Sequence, residues 1–408
     1  MRLPMLLDMA AEGFGDRVII GRRASGFTVA DLRHRALIGA GIIRSAGADA
    51  VVYLAPNGAA FPLAMFAAAY AGVPLVPLNY RLGREQLADL LARHHGAIGV
   101  GDSAGVAALT AAGLSALTTA DWLQLTESAG IDAGFEDGVV DDDPAVIIYT
   151  SGTTAAPKGV LLRHSNLVSY VLGSVEFMNA DEDEAALTSV PPYHIAAVAN
   201  VISNLYAGRR TIVLEQFDPH QWLKTIRSEG VTNALVVPTM LARIVDAVQH
   251  GAHATVPSLR SLAYGGAAIS RSVIETALNI WPEVGFVNAY GLTETSSTIA
   301  VLGPEDHREA MASDREDVRA RLSSAGKVLP TIELEIRDAN DDVVPPGVTG
   351  RICVKGGQVS AEYASVGRTV DDSGFFDTRD EGYIDGAGRN SPAAKWGSCC
   401  AATFLPRS

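Results

Sequence analysis

Ile147-Ile148-Tyr149-Thr150-Ser151-Gly152-Thr153-Thr154-Ala155-Ala156-Pro157-Lys158-Gly159-Val160 is the stretch whose reading decides the fold. An apolar, β-branched run leads into hydroxyl side chains, two glycines and one lysine. Glycine lets a backbone approach a ligand closely and turn its N–H groups toward an anion. Hydroxyls donate to phosphate oxygens, and lysine supplies a mobile positive charge. A triphosphate tail needs this combination. A Walker A loop needs a glycine before the lysine and Ser or Thr after it. Pro157 and Gly159 stand in those places, which rejects that reading. An ordinary polar turn is the remaining alternative.

Outward from this loop, short β-branched runs at 49–54, 97–101, 145–149, 210–214, 233–237 and 284–289 read as strands. Stretches 84–94, 218–229 and 239–250 read as helices. The alternation indicates α/β layers with mostly parallel sheet. The uncharged stretch 58–78 contains Pro62, Pro74 and Pro77, and it fits a buried helix running into a strand better than a membrane span. From about Gly326 the texture changes. Runs at 331–337 and 350–355 read as strands around the turn-rich 338–349, as in an antiparallel, barrel-like subdomain. Gly99-Val100-Gly101-Asp102-Ser103-Ala104 loosely resembles a dinucleotide fingerprint, but an ordinary strand-end loop explains it.

The chain has 408 residues, too many for one hydrophobic core, so two or three packed subdomains are expected. It is 48% hydrophobic and 19% charged, a globular composition. Its net charge of −14 repels phosphate backbones and anionic lipid, which argues against nucleic acid as a partner. The first residues show no signal-peptide pattern. Three cysteines provide neither a disulfide framework nor zinc-ligand spacing. A cytoplasmic location without a membrane span is the expectation, with a homodimer left open.

Four further stretches carry chemistry. Asn288-Ala289-Tyr290-Gly291-Leu292-Thr293-Glu294-Thr295 follows an apolar strand, where α/β folds bind ligands. Alone, it also fits a helix N-terminus with a threonine cap. Tyr264-Gly265-Gly266-Ala267-Ala268 puts two glycines after a strand, with room for a flat ring or a carboxylate, although a plain βα turn is the alternative. Phe376-Asp377-Thr378-Arg379-Asp380-Glu381-Gly382 is an acidic stretch that a solvated turn would also explain. Pro191-Pro192-Tyr193-His194 precedes small apolar residues, Ile195 to Ala199, which with Val236, Val237 and Met240 suggest an apolar pocket or simply core.

These motifs, in order from about Arg17 to Gly386, resemble the adenylate-forming superfamily in its acyl- and aryl-CoA synthetase branch. The Tyr-Thr-Ser-Gly-Thr-Thr-x-x-Pro-Lys-Gly loop is that group's signature. The resemblance implies the large N-terminal domain of such enzymes: two α/β subdomains with mostly parallel sheets and a smaller antiparallel, barrel-like part over 326–386. It implies ATP, Mg²⁺ and CoA, and activation of a fatty, alicyclic or aromatic carboxylic acid to acyl-AMP. Thr150, Ser151, Gly152, Thr153, Thr154 and Lys158 would hold phosphates. Gly265, Gly266 and Ala267 would line the adenine and acyl sites. Tyr290 would stack on adenine beside Gly291, and Asn288 would meet its amino group. Thr293 would touch the α-phosphate, Glu294 would hold Mg²⁺, and Asp380 would accept from the ribose hydroxyls. His194 would border and gate the acyl pocket. Lys158, Thr293, Glu294 and His194 are thus the catalytic candidates.

The resemblance fails after Gly386. Family members continue into a hinge and a small domain carrying a lysine, and no residue of the tail 387–408 takes that lysine's place. The tail reads as an out-of-frame continuation, an idea that fails if no other frame of the DNA encodes a hinge. The implied activity is accordingly expected to be impaired, with a nucleotide-binding core without turnover as the rival.

Overall fold

The computed structural model describes residues 1–128, 143–150, 157–385 and 400–401. They divide into two units. The first comprises Met1–Glu184, Thr188–Gln216 and Glu362–Gly367, and the second Ala185–Leu187, Phe217–Ala361 and Arg368–Ser408. The expected atypical tail falls largely on residues 386–399 and 402–408, outside the described residues, as do Ser151, Gly152, Thr153 and Thr154.

The first unit opens with α1 (Leu3–Phe14), β1 (Val18–Ile20), β2 (Phe27–Thr28) and α2 (Val29–Ser45). Thr28 caps α2 by accepting from the Asp31 amide, and Asp31 returns the bond to the Thr28 amide. Next come β3 (Val51–Leu54), α3 (Ala60–Ala71), β4 (Leu75–Pro77), α4 (Arg84–Leu91), β5 (Ile98–Gly101), α5 (Ser103–Ala111), β6 (Ser115–Thr118) and α6 (Thr119–Ser128). Then follow β7 (Pro144–Thr150), β8 (Lys158–Arg163) and α7 (His164–Ser174). β9 (Ala185–Thr188), α8 (Ile195–Ala207) and β10 (Arg210–Val213) continue the chain.

The apolar stretch 58–78 is α3 and β4, as its composition implies. Ala60 through Tyr70 are all buried, so α3 is a core helix with no polar face. Each large side chain on it, such as Phe66, removes apolar area worth roughly 1.5–3 kcal/mol. Around it runs a sheet in the order β6-β5-β3-β4-β7-β8. β3, β4, β5, β6 and β7 pair in parallel, and β8 joins β7 antiparallel. The Gly99–Ala104 stretch is the end of β5 and the start of α5. Asp102 caps that helix by accepting from the Gly105 amide.

The second unit carries α9 (Pro219–Glu229), β11 (Asn233–Val236), α10 (Pro238–Gln249), β12 (Ser261–Gly265), α11 (Arg271–Ile280), β13 (Gly285–Leu292), β14 (Ser297–Leu302), α12 (Pro304–Ala312), α13 (Glu316–Arg319) and β15 (Lys327–Val328). Its strands run β15-β14-β13-β12-β11-β9, with β11, β12 and β13 parallel and β14 and β15 antiparallel. β16 (Glu333–Arg337) and β17 (Gly350–Lys355) follow, then β18 (Glu362–Tyr363), β19 (Gly367–Arg368), β20 (Phe376–Ile384) and β21 (Cys400–Ala401). Within 326–386, β16, β17 and β20 pair antiparallel, and β21, from the stretch beyond Gly386, adds to β20. β18 belongs to the first unit, where Tyr363 pairs with Val160 of β8.

Gly39 lies where α2 crosses α3 and α6. A Cβ there would sit 2.8 Å from both the Ala67 methyl and the Trp122 ring. Gly41, one turn-face away, has nothing within 4 Å. Gly39→Val is expected to destabilise the fold by about 1–3 kcal/mol through overpacking. Gly41→Ala should stabilise it by roughly 0.5–1 kcal/mol through helix propensity. Urea denaturation of both variants checks the pair, and equal effects would refute the crossing.

Candidate active site

In the first unit, β7 and β8 form a hairpin whose register sets Thr150 opposite Lys158 and Tyr149 opposite Gly159. The described ends of the hydroxyl-rich loop are therefore fixed by strand pairing. Three sets of contacts brace them. Arg93 donates to the Pro157 carbonyl at 2.9 Å and lies over the Tyr149 ring at 5.7 Å. His94 Nε2 meets the Tyr149 hydroxyl at 2.8 Å. Burial, aided by the Arg93 charge, holds His94 below the ordinary imidazole value. On the far side the Ala364 amide donates to the Gly159 carbonyl at 2.9 Å, and Arg163 grips both oxygens of Glu362 at 2.8 and 2.9 Å. The Lys158 ammonium stands 5.5 Å from the Tyr363 ring centroid.

His194 belongs to another element of the same unit, as the N-cap residue of α8. Its ring lies 4.6 Å from that of Tyr193, which in turn meets Tyr80 edge-on. Part of the ring is desolvated by these neighbours, and this, with the Arg81 charge, lowers its pKa although the residue keeps an exposed edge. Of the residues expected to line an apolar pocket, Ala197, Val198, Ala199 and Val236 are buried core positions. A cavity of about 20 Å³ lies in the first unit beside Ile20, Phe61, Phe66, Ala197, Val201 and Leu205, room for a single water.

In the second unit, β13 carries most of the Asn288–Thr295 motif within the strand, which continues through Leu292; the motif was expected at the strand's end. Phe286, Asn288 and Tyr290 share one face by strand alternation. The β12 register places Tyr264 beside Asn288 and Gly265 beside Ala289. A Cβ on Gly265 would stand 2.1 Å from the Ala289 carbonyl oxygen, and one on Gly291 would stand 1.9 Å from that of Ser297. Both contacts admit only glycine. Gly266, with φ of 81°, and Ala267 follow directly after β12.

The Tyr290 hydroxyl donates to Asp380 Oδ2 at 2.9 Å. Asp380 lies in the middle of β20, and its amide donates to Thr378 Oγ1, whose hydroxyl donates to the Ile352 carbonyl. The acidic turn considered for this stretch is instead a bulged strand, with the register shifting between Arg351 and Cys353. Arg379 holds φ of 62°, the left-handed conformation that glycine takes freely. Asn288 donates to the Ser324 carbonyl at 2.8 Å.

After β13, Thr293–Thr295 forms one 3₁₀ turn, followed by Ser296 and Ser297 at φ of 54° and 103°. Such non-glycine conformations cost roughly 1–3 kcal/mol each and persist only where surroundings over-determine them. Here Thr295 Oγ1 bonds the Leu292 and Ser297 backbone, and buried Gln358 donates to the Thr295 and Thr298 carbonyls. The Ser360 and Ala361 amides donate to the Glu294 carbonyl at 2.9 and 3.0 Å. The backbone of Glu294 is thereby fixed, and the residue is half-buried.

Several supporting residues carried no signal in the sequence: Arg93, Glu362, Tyr363 and His307. His307 is fully buried beside Tyr264 and Phe286. Its Nδ1 lies 2.7 Å from the Gly303 carbonyl, which can only accept, so Nδ1 carries the proton. Nε2 then accepts from the Tyr264 hydroxyl at 2.9 Å. Burial lowers the His307 pKa from the ordinary 6.5 and raises that of Tyr264. A neutral folded imidazole binds fewer protons than the unfolded one. Its stabilising share is therefore present above pH 6.5 and is lost as pH falls toward the folded value. Urea denaturation is expected to show weaker stability at about pH 5 than at about 7.5, with a smaller difference in His307→Gln. An equal pH dependence would contradict the buried neutral ring. Relief of the Arg379 backbone strain in Arg379→Gly should stabilise the protein by about 1 kcal/mol, and a destabilised variant would contradict it.

Comparison with known proteins places this architecture. The AMP-binding enzyme family matches residues 7–364. A feruloyl-CoA synthase from an Amycolatopsis species is 32% identical over 375 residues, 89% of this chain and 72% of that protein. A 2-succinylbenzoate–CoA ligase from Bacillus licheniformis is 29% identical over 397 residues, 94% of this chain and 78% of that protein. The structure of o-succinylbenzoate CoA synthetase from Bacillus subtilis, in complex with the acyl-adenylate intermediate OSB-AMP, superposes with a TM-score of 0.79. It is 25% identical, over 93% of this chain and 76% of that one. The N-terminal domain of FACL13 from Mycobacterium tuberculosis shares the fold, with a TM-score of 0.81, 23% identity and 98% coverage of each chain. The match across residues 7–364, together with the 32% identity to a protein of which the chain spans 72%, shows that this chain belongs to the family of AMP-binding enzymes.

Proposed function

We propose that this chain is the adenylating part of an AMP-forming acid–CoA ligase, with residues 1–386 as its nucleotide-binding portion. The observation that carries the reading is the Tyr290–Asp380 pair on a strand that runs directly into Thr293 and Glu294. It joins an aromatic face, a diol-accepting carboxylate and an oxygen-rich turn in one unit. The names of the relatives, a feruloyl-CoA synthase and a 2-succinylbenzoate–CoA ligase, support CoA as the acyl acceptor. Both named acyl groups carry a benzene ring, which favours an aromatic acid among the fatty, alicyclic and aromatic candidates.

In the proposed reaction a carboxylate oxygen of the acid attacks the α-phosphorus of ATP. The bond to the bridging oxygen breaks, and pyrophosphate leaves with the electron pair. The CoA thiol then displaces AMP from the acyl-adenylate. Such chemistry rests on positioning and charge stabilisation and needs no covalent nucleophile from the protein. Lys158 and Thr150, with Ser151, Gly152, Thr153 and Thr154, are assigned the phosphates. Tyr290, Gly291, Asn288, Gly265, Gly266 and Ala267 are assigned the adenine, and Asp380 the ribose hydroxyls. Thr293 is assigned the α-phosphate, and His194 the edge of the acyl site.

Glu294 is assigned Mg²⁺. Mg²⁺ keeps several waters and takes one or two carboxylates together with substrate phosphates. A single carboxylate on a rigid turn fits that demand; among the described residues no trio of His, Cys, Asp or Glu forms a closed metal cage. When bound, the ion would offset phosphate charge. No described helix is long and apolar enough to cross a membrane, and the ATP and CoA supply of the cytoplasm is where we place the activity.

The test is pyrophosphate release by the 408-residue chain with Mg·ATP across aromatic and fatty acids. Acid-dependent release is expected. Binding of ATP without release would replace the ligase by a nucleotide- or acyl-adenylate-binding core without turnover. Lys158→Ala, Glu294→Gln and Asp380→Ala each remove a charge-assisted contact worth about 1.5–3 kcal/mol, so kcat/KM should fall roughly 10–150-fold. Unchanged values in all three would sink the assignment.

A further inference from the structure

Among the charged groups near the hydroxyl-rich loop, Lys158 has an aromatic neighbour that the reaction does not require. Tyr363 lies on β18, the strand next to β8. Its backbone is paired to Val160, and it is anchored on both sides. Ala364 donates to the Gly159 carbonyl, and Glu362 is held by the Arg163 fork. The backbone beneath the ring is thus fixed, and the Lys158 ammonium stands 5.5 Å from the ring centroid. This is inside the ~6 Å range over which a cation is drawn to a π face.

The neighbouring carboxylate makes the arrangement chemically specific. Glu362 adjoins Tyr363 in sequence and would be a stronger partner for an ammonium than a ring. Arg163 engages both of its oxygens, at 2.8 and 2.9 Å, with both side chains largely sheltered. A bidentate guanidinium is the better match for a carboxylate than a lysine. Lys158 is thereby left with a partner that attracts charge without neutralising it. A π face holds an ammonium while N–H groups remain free to donate to oxygen. A carboxylate would compete with phosphate for the same donors.

We propose that Tyr363 is a positioning residue for Lys158. Its ring holds the ammonium of a long, flexible side chain at the hairpin mouth, ready for phosphate oxygens, while the Arg163–Glu362 pair keeps the adjacent carboxylate away from it. The assignment of phosphate to Lys158 rests on the ligase reading above; the ring contact itself does not.

Reductive ¹³C-methylation, which keeps the lysine charge, tests the contact directly. The chain has five lysines, so the spectrum is small, and Lys158→Arg assigns the signal. Lys355, whose ammonium is 5.5 Å from the Phe375 centroid, reports an intact fold. The Lys158 methyl signal is expected to be shifted upfield by the ring, to stay there in Tyr363→Phe, and to lose the shift in Tyr363→Leu while Lys355 is unmoved. In pyrophosphate release, Tyr363→Leu should raise KM for Mg·ATP about two- to five-fold with kcat nearly unchanged, and Tyr363→Phe should restore KM. A Lys158 signal unaltered in Tyr363→Leu would overturn the proposal. So would a Phe variant that behaves like the Leu variant, since the hydroxyl would then be the operative group. Absence of pyrophosphate release by the unmodified chain would count against the ligase reading, and the methyl signal would still decide the role of Tyr363.

Discussion

The close parallel pairing of β12 with β13 is the constraint on which the second unit's candidate site depends. Gly265 lets the Ala289 carbonyl approach within a distance that no side chain permits, and Gly291 does the same for Ser297 on the other edge of β13. With both neighbours drawn in, β13 has one register. That register presents Asn288 and Tyr290 on the same face and brings the chain into the Thr293–Thr295 turn at a fixed angle. Polar contacts then secure what the sterics define. Tyr290 reaches Asp380, Asn288 reaches Ser324, and Gln358 ties down the turn. None of these bonds is strong alone, since a net hydrogen bond contributes about 1 kcal/mol. They act together because the backbone beneath them is already placed.

The hairpin of the first unit follows a different logic. Its described ends are placed by an antiparallel ladder, and the charges around it are sorted by partner. Arg93 serves a carbonyl and a ring, Arg163 serves a carboxylate, and Lys158 faces an aromatic ring. Arginine takes the fixed, planar interactions, and lysine, the smaller and more mobile charge, is kept from a carboxylate.

Much of this architecture could be read from residue order because it is local. The strands at Val51–Leu54 and Arg210–Val213 and the helix at Pro219–Glu229 announce themselves through β-branched runs, an Asp218 cap and a proline at the first helical position. The strand that leads into the hydroxyl-rich stretch was legible as an apolar, β-branched run. The extent of β13 was less so: Gly291 looks like a breaker, yet it continues the strand because Ser297 needs the space. The bulge at Arg379 was hidden, since an arginine gives no local hint of a left-handed backbone. The braces on the hairpin and the buried His307–Tyr264 pair were not legible at all. Their partners are distant in sequence, and only the folded topology makes neighbours of them.

One such pairing bears on how the chain acquires its fold. Arg163 and Glu362 are separated by 199 residues, and β18 is the strand that covers the outer edge of β8. A ribosome adding about 5–20 residues per second takes roughly 10–40 s to supply that strand after Arg163 has emerged. Throughout this interval the β7–β8 hairpin has an open edge, the kind of surface that recruits stray strands. The first unit is therefore completed late, after most of the second has been synthesised, and the strand that covers β8 arrives carrying the aromatic ring beside Lys158. The covering of β8 and the placement of that ring are the same event in the life of the chain.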